Sequence, residues 1–293
     1  MKRSGEQTIM DVIIGENGRF ASAFKNSLGT NAVNISNIKE RKNIEFIKKI
    51  LSKSQKTNSK IKIYWCLGKS KSRSEKYICD DDFTTLSNFF IEIEHLGAKN
   101  IEVIYLSSGG TVYGNNAGCV NENSVLNPQS YYAEMKIKSE ILLNNLNKKS
   151  GMRISLFRIA NAYSTPKIGS SMGIVESLID CIENQKEFNL KVSLKSEKQY
   201  GTYSNYSSSI LQYLQEFRNR PNTFQIQNIF SDHIHTLKSL IALLESYFES
   251  TLNISGLKDL PEESVILESI YKPINQNSWI SVQEFLTKCY PKS

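Results

Sequence analysis

Residues 8–21 read Thr8-Ile9-Met10-Asp11-Val12-Ile13-Ile14-Gly15-Glu16-Asn17-Gly18-Arg19-Phe20-Ala21. The apolar, β-branched run Thr8–Ile14 has the length and composition of a buried strand. It enters G-x-x-G-x-x-A without a spacer. Gly15 permits a tight turn, and Gly18 lets the backbone approach a pyrophosphate at the N-terminus of the next helix, where unpaired N–H groups and the dipole favour anions. Ala21 is small enough for helix–strand packing. A glycine turn alone is weak evidence. Its weight comes from its place at the head of an alternating chain, where it predicts a dinucleotide site.

The alternation continues outward. Gly15–Leu28 has helical spacing and ends at Gly29, a C-cap residue. Ala32–Ile35 reads as a strand, Asn43–Leu51 as a helix and Ile61–Leu67 as a third strand. Phe83–Leu96 is an amphipathic helix stopped by Gly97. Ile101–Leu106 is a strand, Tyr131–Asn147 a long helix closed by Gly151, and Arg153–Ile159 a strand. Strands alternating with helices predict an α/β fold, a doubly wound and mostly parallel sheet covered on both faces. After Asn161 the pattern loosens. Helices are expected at Gly173–Asn184, Ile210–Phe217, Thr236–Phe248 (with Thr236 as its cap) and Val282–Cys289, and a strand at Phe224–Ile229. The expected division is a cofactor domain over 1–165 and a smaller C-terminal lobe over 166–293, with some segments of the latter returning to the sheet.

The 293 residues suffice for a sizeable core, and 40% hydrophobic with 22% charged is ordinary globular composition. No apolar run reaches the ~20 residues of a membrane span. The first residues, MKRSGEQTIMDVIIG, are broken by Asp11 and show no small-residue cleavage site, so no signal peptide is expected. The five cysteines are scattered and without CxxC spacing, which argues against a metal centre or a disulfide framework and for a cytoplasmic setting. The net charge of +7 permits nucleic-acid binding without requiring it, and neither a nucleic-acid nor a membrane partner is expected. His233 and His235 flank one residue, and two histidines are too few ligands for a metal. Asp80-Asp81-Asp82 reads as an acid cluster at a helix N-terminus.

A ribose-binding acid is expected ~20 residues beyond the glycine turn. That stretch reads Asn34-Ile35-Ser36-Asn37-Ile38-Lys39, with no Asp or Glu before Glu40. Asn37 can hydrogen-bond a ribose, while Lys39, Arg41 and Lys42 can pair with a 2′-phosphate or form a solvated face. NAD and NADP both stay open. Lys69, Lys71 and Arg73 after the third strand face a nucleotide phosphate or only water.

The strongest chemical signal is Pro128-Gln129-Ser130-Tyr131-Tyr132-Ala133-Glu134-Met135-Lys136. Tyr132 and Lys136 are four apart and share a helix face. An ammonium beside a phenol favours the phenolate and lowers its pKa, so the pair suits acid–base work on a sugar or alcohol hydroxyl. Tyr131 competes for the role, but its i+4 neighbour is Met135. The plain alternative is a surface tyrosine beside a surface lysine. After the fourth strand come Ser107-Ser108-Gly109-Gly110-Thr111-Val112-Tyr113-Gly114, hydroxyls placed where doubly wound sheets bind ligands.

The glycine turn, the Ser-Ser-Gly-Gly-Thr-Val-Tyr-Gly segment, the Tyr132–Lys136 helix and Phe157-Arg158-Ile159-Ala160-Asn161-Ala162-Tyr163 occur in order. Together they resemble the extended short-chain dehydrogenase/reductase family, of the NAD(P)-dependent nucleotide-sugar epimerase and dehydratase type. The resemblance implies a Rossmann-like fold and a nucleotide-sugar substrate. Tyr132 would be the acid/base, Lys136 would tune it and hold the nicotinamide ribose, and Ser108 or Thr111 would bond the substrate. Candidate cofactor contacts are Gly15, Asn17, Gly18, Arg19, Phe20, Asn37, Leu67, Gly68, Ser107 and Lys136. It also implies that Phe83–Leu96 and Tyr131–Asn147 pack together and can form a homodimer face. Two departures stand out. The usual hydroxyl position is Gly109, and the Asp-Glu pair of dehydratases is Gly110-Thr111, which argues against a 4,6-dehydratase. The usual Arg-Asp-Phe-like segment is replaced by Lys198-Gln199-Tyr200-Gly201-Thr202-Tyr203. The expected activity is epimerisation through a 4-keto sugar. The alternatives are a 4-ketoreductase and a non-catalytic, cofactor-binding relative.

Overall fold

Val12, Ile13 and Ile14 are all nearly or fully buried, yet they serve two cores. Val12 and Ile14 join one cluster and Ile13 the other. A strand covered on both faces needs an unbroken apolar run, which is what the sequence supplies. The computed structural model describes residues 9–15, 17–29, 32–36, 38–57, 59–95, 100–115, 117–166, 172–216, 223–256, 258–271 and 279–292.

The elements are β1 (Ile9–Ile14), α1 (Arg19–Leu28), β2 (Val33–Ile35), α2 (Arg41–Thr57), β3 (Lys60–Trp65), α3 (Lys76–His95), β4 (Ile101–Ser108), α4 (Gly109–Val112), β5 (Gly118–Val120), α5 (Tyr131–Ser150) and β6 (Arg153–Ile159). There follow β7 (Asn161–Tyr163), α6 (Ile174–Glu183), β8 (Phe188–Asn189), β9 (Glu197–Thr202), α7 (Tyr203–Glu216), β10 (Phe224–Ile229), β11 (Ile234–Thr236), α8 (Leu237–Phe248), β12 (Ile254–Ser255), β13 (Val265–Leu267) and α9 (Val282–Cys289).

A six-stranded parallel sheet runs β10-β6-β4-β3-β1-β2. Helices cover both faces, so the Rossmann-like α/β reading holds. α2, α3 and α5 pack on one face, where Trp65, Phe89 and Phe90 form an aromatic cluster with centroids 5.0–5.2 Å apart. α1 and α7 cover the other. Among the described residues no strand lies outside β2. The order therefore resembles the 2-1-3-4-5 arrangement, with its switch point between β1 and β3. β10 and α7 come from the second half of the chain and complete this layer. A second sheet, β11-β9-β13-β5, and a third apolar cluster around α6, α8 and α9 build the remainder.

Two helices begin seven residues earlier than the spacing predicts. α3 starts at Lys76, so Asp80, Asp81 and Asp82 lie within it and are not an N-terminal cluster. Each has its own partner: Asp80 pairs with Lys76 at 3.3 Å, Asp81 with Lys39 at 2.7 Å, and Asp82 accepts from the loop after β3. α7 starts at Tyr203, because it buries Tyr206, Ser207 and Tyr213, polar-edged residues that a hydropathy pattern discounts. The caps at Gly29 and Thr236 and the packing of α3 on α5 are as expected. No helix among the described residues is long and apolar enough to cross a membrane.

Candidate functional site

The glycine turn is pinned to the next strand. Gly15 has φ +100°, and a Cβ there would lie 2.7 Å from the Cys66 carbonyl carbon and the Leu67 nitrogen. Only glycine fits this conformation and this approach. Its N–H donates to Ile35 O at 2.8 Å, and Gly18 N–H donates to Gly15 O at 2.8 Å. No side chain caps α1 at Gly18, and its first turn holds no carboxylate, which leaves the positive end of the helix suited to an anion. Asn17 is exposed at the tip of the turn. Asn37 lies outside the described residues, as do the side chains of Arg41 and Lys42.

A cavity opens at the carboxyl ends of β3 and β4. Phe20, Leu67, Gly68, Ser107, Tyr132 and Lys136 all line it, so the first turn of α1 and the tyrosine–lysine helix share one space. Ser130 caps α5 by accepting from Ala133 N–H at 3.2 Å. This fixes the first turn of the helix, with Tyr131 half exposed and Tyr132 turned inward. The Lys136 ammonium donates to Leu106 O at 2.9 Å and lies 5.5 Å from the Tyr132 ring centroid. Burial pushes the Tyr132 hydroxyl up to about 12, against a hydrogen bond from the Ser108 side chain that favours its anion. The expected lowering by Lys136 is not what dominates here. The ammonium is directed at a carbonyl, and desolvation outweighs it. Lys136 is itself pushed down to about 8 by burial, opposed by the carboxylates of Asp82 and Glu140.

The hydroxyls beyond β4 divide into three roles. Ser108 stands on the Tyr132 side and favours its anion. Ser107 turns away and donates to Glu140 Oε1 at 2.5 Å. Thr111 Oγ1 is buried with no hydrogen-bond partner. A side chain at Gly109 would crowd Leu267, because a Cβ would lie 2.3 Å from Leu267 Cδ1 and 3.2 Å from Arg158 O. The second sheet has filled that space.

Sequence reasoning missed the supporting roles of Arg158, Glu140, Tyr113 and Asp82. Arg158, 3% exposed, donates to Glu140 Oε2 at 2.7 Å and to the Tyr113 hydroxyl at 2.9 Å. Tyr113 in turn donates to Asn228 Oδ1 at 2.8 Å. Glu140 stands four residues after Lys136, and Arg158 interrupts an apolar strand; both were available signals. Asp82 accepts from Lys69 N–H, Ser70 N–H and the Ser70 hydroxyl, holding the loop after β3 against the cavity.

A model described as the NAD dependent epimerase/dehydratase family matches residues 68–227, more than half of the chain. The chain belongs to this family. The matched range begins after the glycine turn and the first three strands. Among solved structures, the UDP-glucose 4-epimerase of Thermotoga maritima is 16% identical with TM-score 0.74, over 94% of this chain and 96% of that one. The UDP-glucuronic acid 4-epimerase of Bacillus cereus, solved with UDP-glucuronic acid and NAD, is 14% identical with TM-score 0.73, over 94% and 96%. Identities this low establish a shared fold. A curated relative, the dTDP-4-dehydro-6-deoxyglucose reductase of Escherichia coli, is 31% identical over 159 residues, 54% of this chain and 48% of that protein. The chain thus matches about half the length of that relative.

This member of the epimerase/dehydratase family has a second cleft, between α6 and β8–β9. Asn161, Ser177, Phe188, Lys191, Lys198 and Tyr200 line it. Asn161 Oδ1 would lie 3.7 Å from a Cβ at Gly110, so the cleft adjoins the turn that carries Ser108. Lys198, in the segment that departs from the family pattern, pairs with Glu263 at 3.6 Å, and burial lowers its pKa. Of the cations after β3, Arg73 reaches this cleft and donates to Lys191 O at 3.5 Å. Lys69 and Lys71 engage their own loop through backbone N–H groups, donating to Asp82 and to Ser74 Oγ. Among the described residues no group of three or more His, Cys, Asp or Glu could hold a metal.

Proposed function

We propose that this chain is an NAD-dependent nucleotide-sugar 4-epimerase working through a 4-keto intermediate. The observation that carries the reading is the Lys136 ammonium 5.5 Å from the Tyr132 ring, in a cavity that Phe20, at the start of the helix after the glycine turn, also lines. The pinned Gly15 and the uncapped start of α1 fit a dinucleotide pyrophosphate. Phe20, Leu67, Ser107 and Lys136 would surround its nicotinamide riboside half. When bound, the nicotinamide supplies a reversible hydride acceptor. The cations and amide of the second cleft fit a nucleoside diphosphate, with Phe188 and Tyr200 as its apolar walls. The sugar C4 hydroxyl would then lie against Ser108 and Tyr132. Ser108 orients it, and Tyr132 Oη removes its proton on oxidation and returns it on reduction. Lys136 stabilises the phenolate form during transfer, and Thr111 Oγ1 is a further donor on the same turn.

A 4-ketoreductase is the second reading. The 31% identity to a dTDP-4-dehydro-6-deoxyglucose reductase favours it, as does a phenol held protonated, ready to donate to a ketone. Purified chain would be offered UDP-glucose, UDP-N-acetylglucosamine and dTDP-4-dehydro-6-deoxyglucose with each nicotinamide nucleotide, and products resolved by NMR. Epimer formation with substoichiometric cofactor supports the first reading. Stoichiometric NAD(P)H oxidation supports the second. Cofactor binding without turnover on any substrate leaves a non-catalytic relative.

A further inference from the structure

Arg19 is the first helical residue after the glycine turn, and its side chain leaves the turn. Its guanidinium reaches Glu176 in the first turn of α6, where Arg19 Nη1 donates to Glu176 Oε1. The Glu176 side chain is 0% exposed and that of Arg19 18%. A glutamate three residues into a helix can serve as a plain cap by accepting backbone N–H groups at the helix start, but Glu176 Oε2 is buried with no hydrogen-bond partner. A cap needs neither full burial nor a cation brought from 157 residues away. Ser164 N–H adds a second donor to Oε1 at 3.1 Å. The Arg19 guanidinium also lies 5.7 Å from the Tyr203 ring centroid, and Phe20 meets the same ring edge-on at 4.8 Å. α6 and α7 therefore hold both side chains that follow Gly18.

The pair sits between the two clefts. Phe20, next to Arg19, lines the cofactor cavity. Ile174 and Ser177, on either side of Glu176, line the second cleft. A buried ion pair tolerates little change in separation, because losing either partner strands a charge. From this geometry we infer that Arg19 and Glu176 are positioning residues that couple the two clefts, so that a nicotinamide nucleotide in one raises affinity for a nucleoside diphosphate in the other. The inference rests on the cleft assignments of the proposed function. Linkage makes the effect reciprocal.

The test is a binding cycle on the full chain. The Kd of NADH is measured by nicotinamide fluorescence, alone and with saturating UDP, with dTDP in a parallel series. A ratio of about 5 to 20 is expected for the wild type. Glu176→Gln keeps the shape and removes the charge, and should bring the ratio to about 1. Arg19→Lys keeps the cation and should retain part of the wild-type ratio. Arg19→Gln serves where Glu176→Gln does not fold. A purely structural role would weaken both Kd values and leave their ratio intact. A ratio unchanged in a folded variant, or a wild-type ratio of 1, overturns the coupling while the functional reading stands. A wild type that binds NADH but neither UDP nor dTDP overturns the second-cleft assignment and the coupling with it. Binding of no ligand at all overturns both.

Discussion

Gly109→Ser would restore a hydroxyl at the position where the extended family usually carries one, and the surrounding packing sets its cost. The new Cβ would lie 2.3 Å from Leu267 Cδ1, 3.1 Å from Leu267 Cδ2 and 3.2 Å from Arg158 O. Carbon contacts are favourable near ~3.5–4.0 Å, so Leu267 would have to retreat by more than an ångström. It has little freedom to do so. It is 1% exposed, its N–H donates to Gln199 Oε1 at 2.8 Å, and its carbonyl accepts from Gln199 Nε2 at 3.1 Å. Overpacking of this kind costs about 1–3 kcal/mol. Leu267→Ala alone leaves a cavity and costs about 2–5 kcal/mol. The double variant removes both branches that the serine strikes. Its destabilisation should therefore match that of Leu267→Ala alone, a coupling of about 1–3 kcal/mol in a double-mutant cycle. Urea denaturation followed by tryptophan fluorescence measures each corner. A cycle that adds, or a Gly109→Ser midpoint equal to wild type, refutes the idea that Leu267 displaced the hydroxyl to Ser108.

Tyr132→Phe should lower turnover by at least ~100-fold while leaving NADH affinity within a few fold, since the phenol meets the sugar and not the pyrophosphate; retained activity would end its assignment. With Lys136 held to about 8, kcat/KM should fall as pH rises through that value and the ammonium is lost, and a rate that stays flat to pH 9.5 would count against its charged form being needed. The same depression has a stability consequence: between about 8 and 10 the unfolded chain keeps a proton on Lys136 that the folded chain has released, so stability should rise with pH there, and Lys136→Met should flatten the slope in denaturation midpoints. Glu140→Gln strands the buried Arg158 charge and should cost about 3–5 kcal/mol; a loss below 1 kcal/mol by the same urea assay would show the network to be dispensable.

The elements legible in the sequence are those whose signal is local. β1 and its turn are written in fourteen consecutive residues, and Tyr132–Lys136 in a single helical turn with its serine cap. The second sheet was not legible. Its strands are three to six residues long, and β9 reads Glu-Lys-Gln-Tyr-Gly-Thr, with no alternation to find. Its consequences for the site were invisible for the same reason, since nothing near Gly109 announces Leu267. Charged residues hid the rest. Glu140, Arg158 and Glu176 look like surface residues in a linear pattern, and only partners far along the chain make their burial affordable. Arg19 belongs with them: the turn suggested a cofactor contact, and the fold gives its guanidinium to Glu176.

The cofactor crevice is also uneven along its length. On the side proposed for the nicotinamide stand the pinned turn, Phe20, Ser107 and Lys136. On the adenosine side β2 has three residues, no strand lies beyond it among the described residues, and the sequence holds no acid for the ribose before Glu40. Lys39, the cation at that edge, is bonded to both carboxylate oxygens of Asp81, at 2.7 and 2.9 Å. Affinity for the dinucleotide should therefore come chiefly from its nicotinamide and phosphate half. Reduced nicotinamide mononucleotide should bind within about tenfold of NADH, a difference of ~1.4 kcal/mol or less. NADH binding a thousandfold tighter than the mononucleotide would mean that the edge of β2 builds an adenosine site by other residues. The outcome bears on the chemistry, because an epimerase returns its hydride within one binding event, whereas a ketoreductase must exchange cofactor at every turnover. A weak adenosine grip suits exchange. A tight one suits the recycling that a 4-keto intermediate needs.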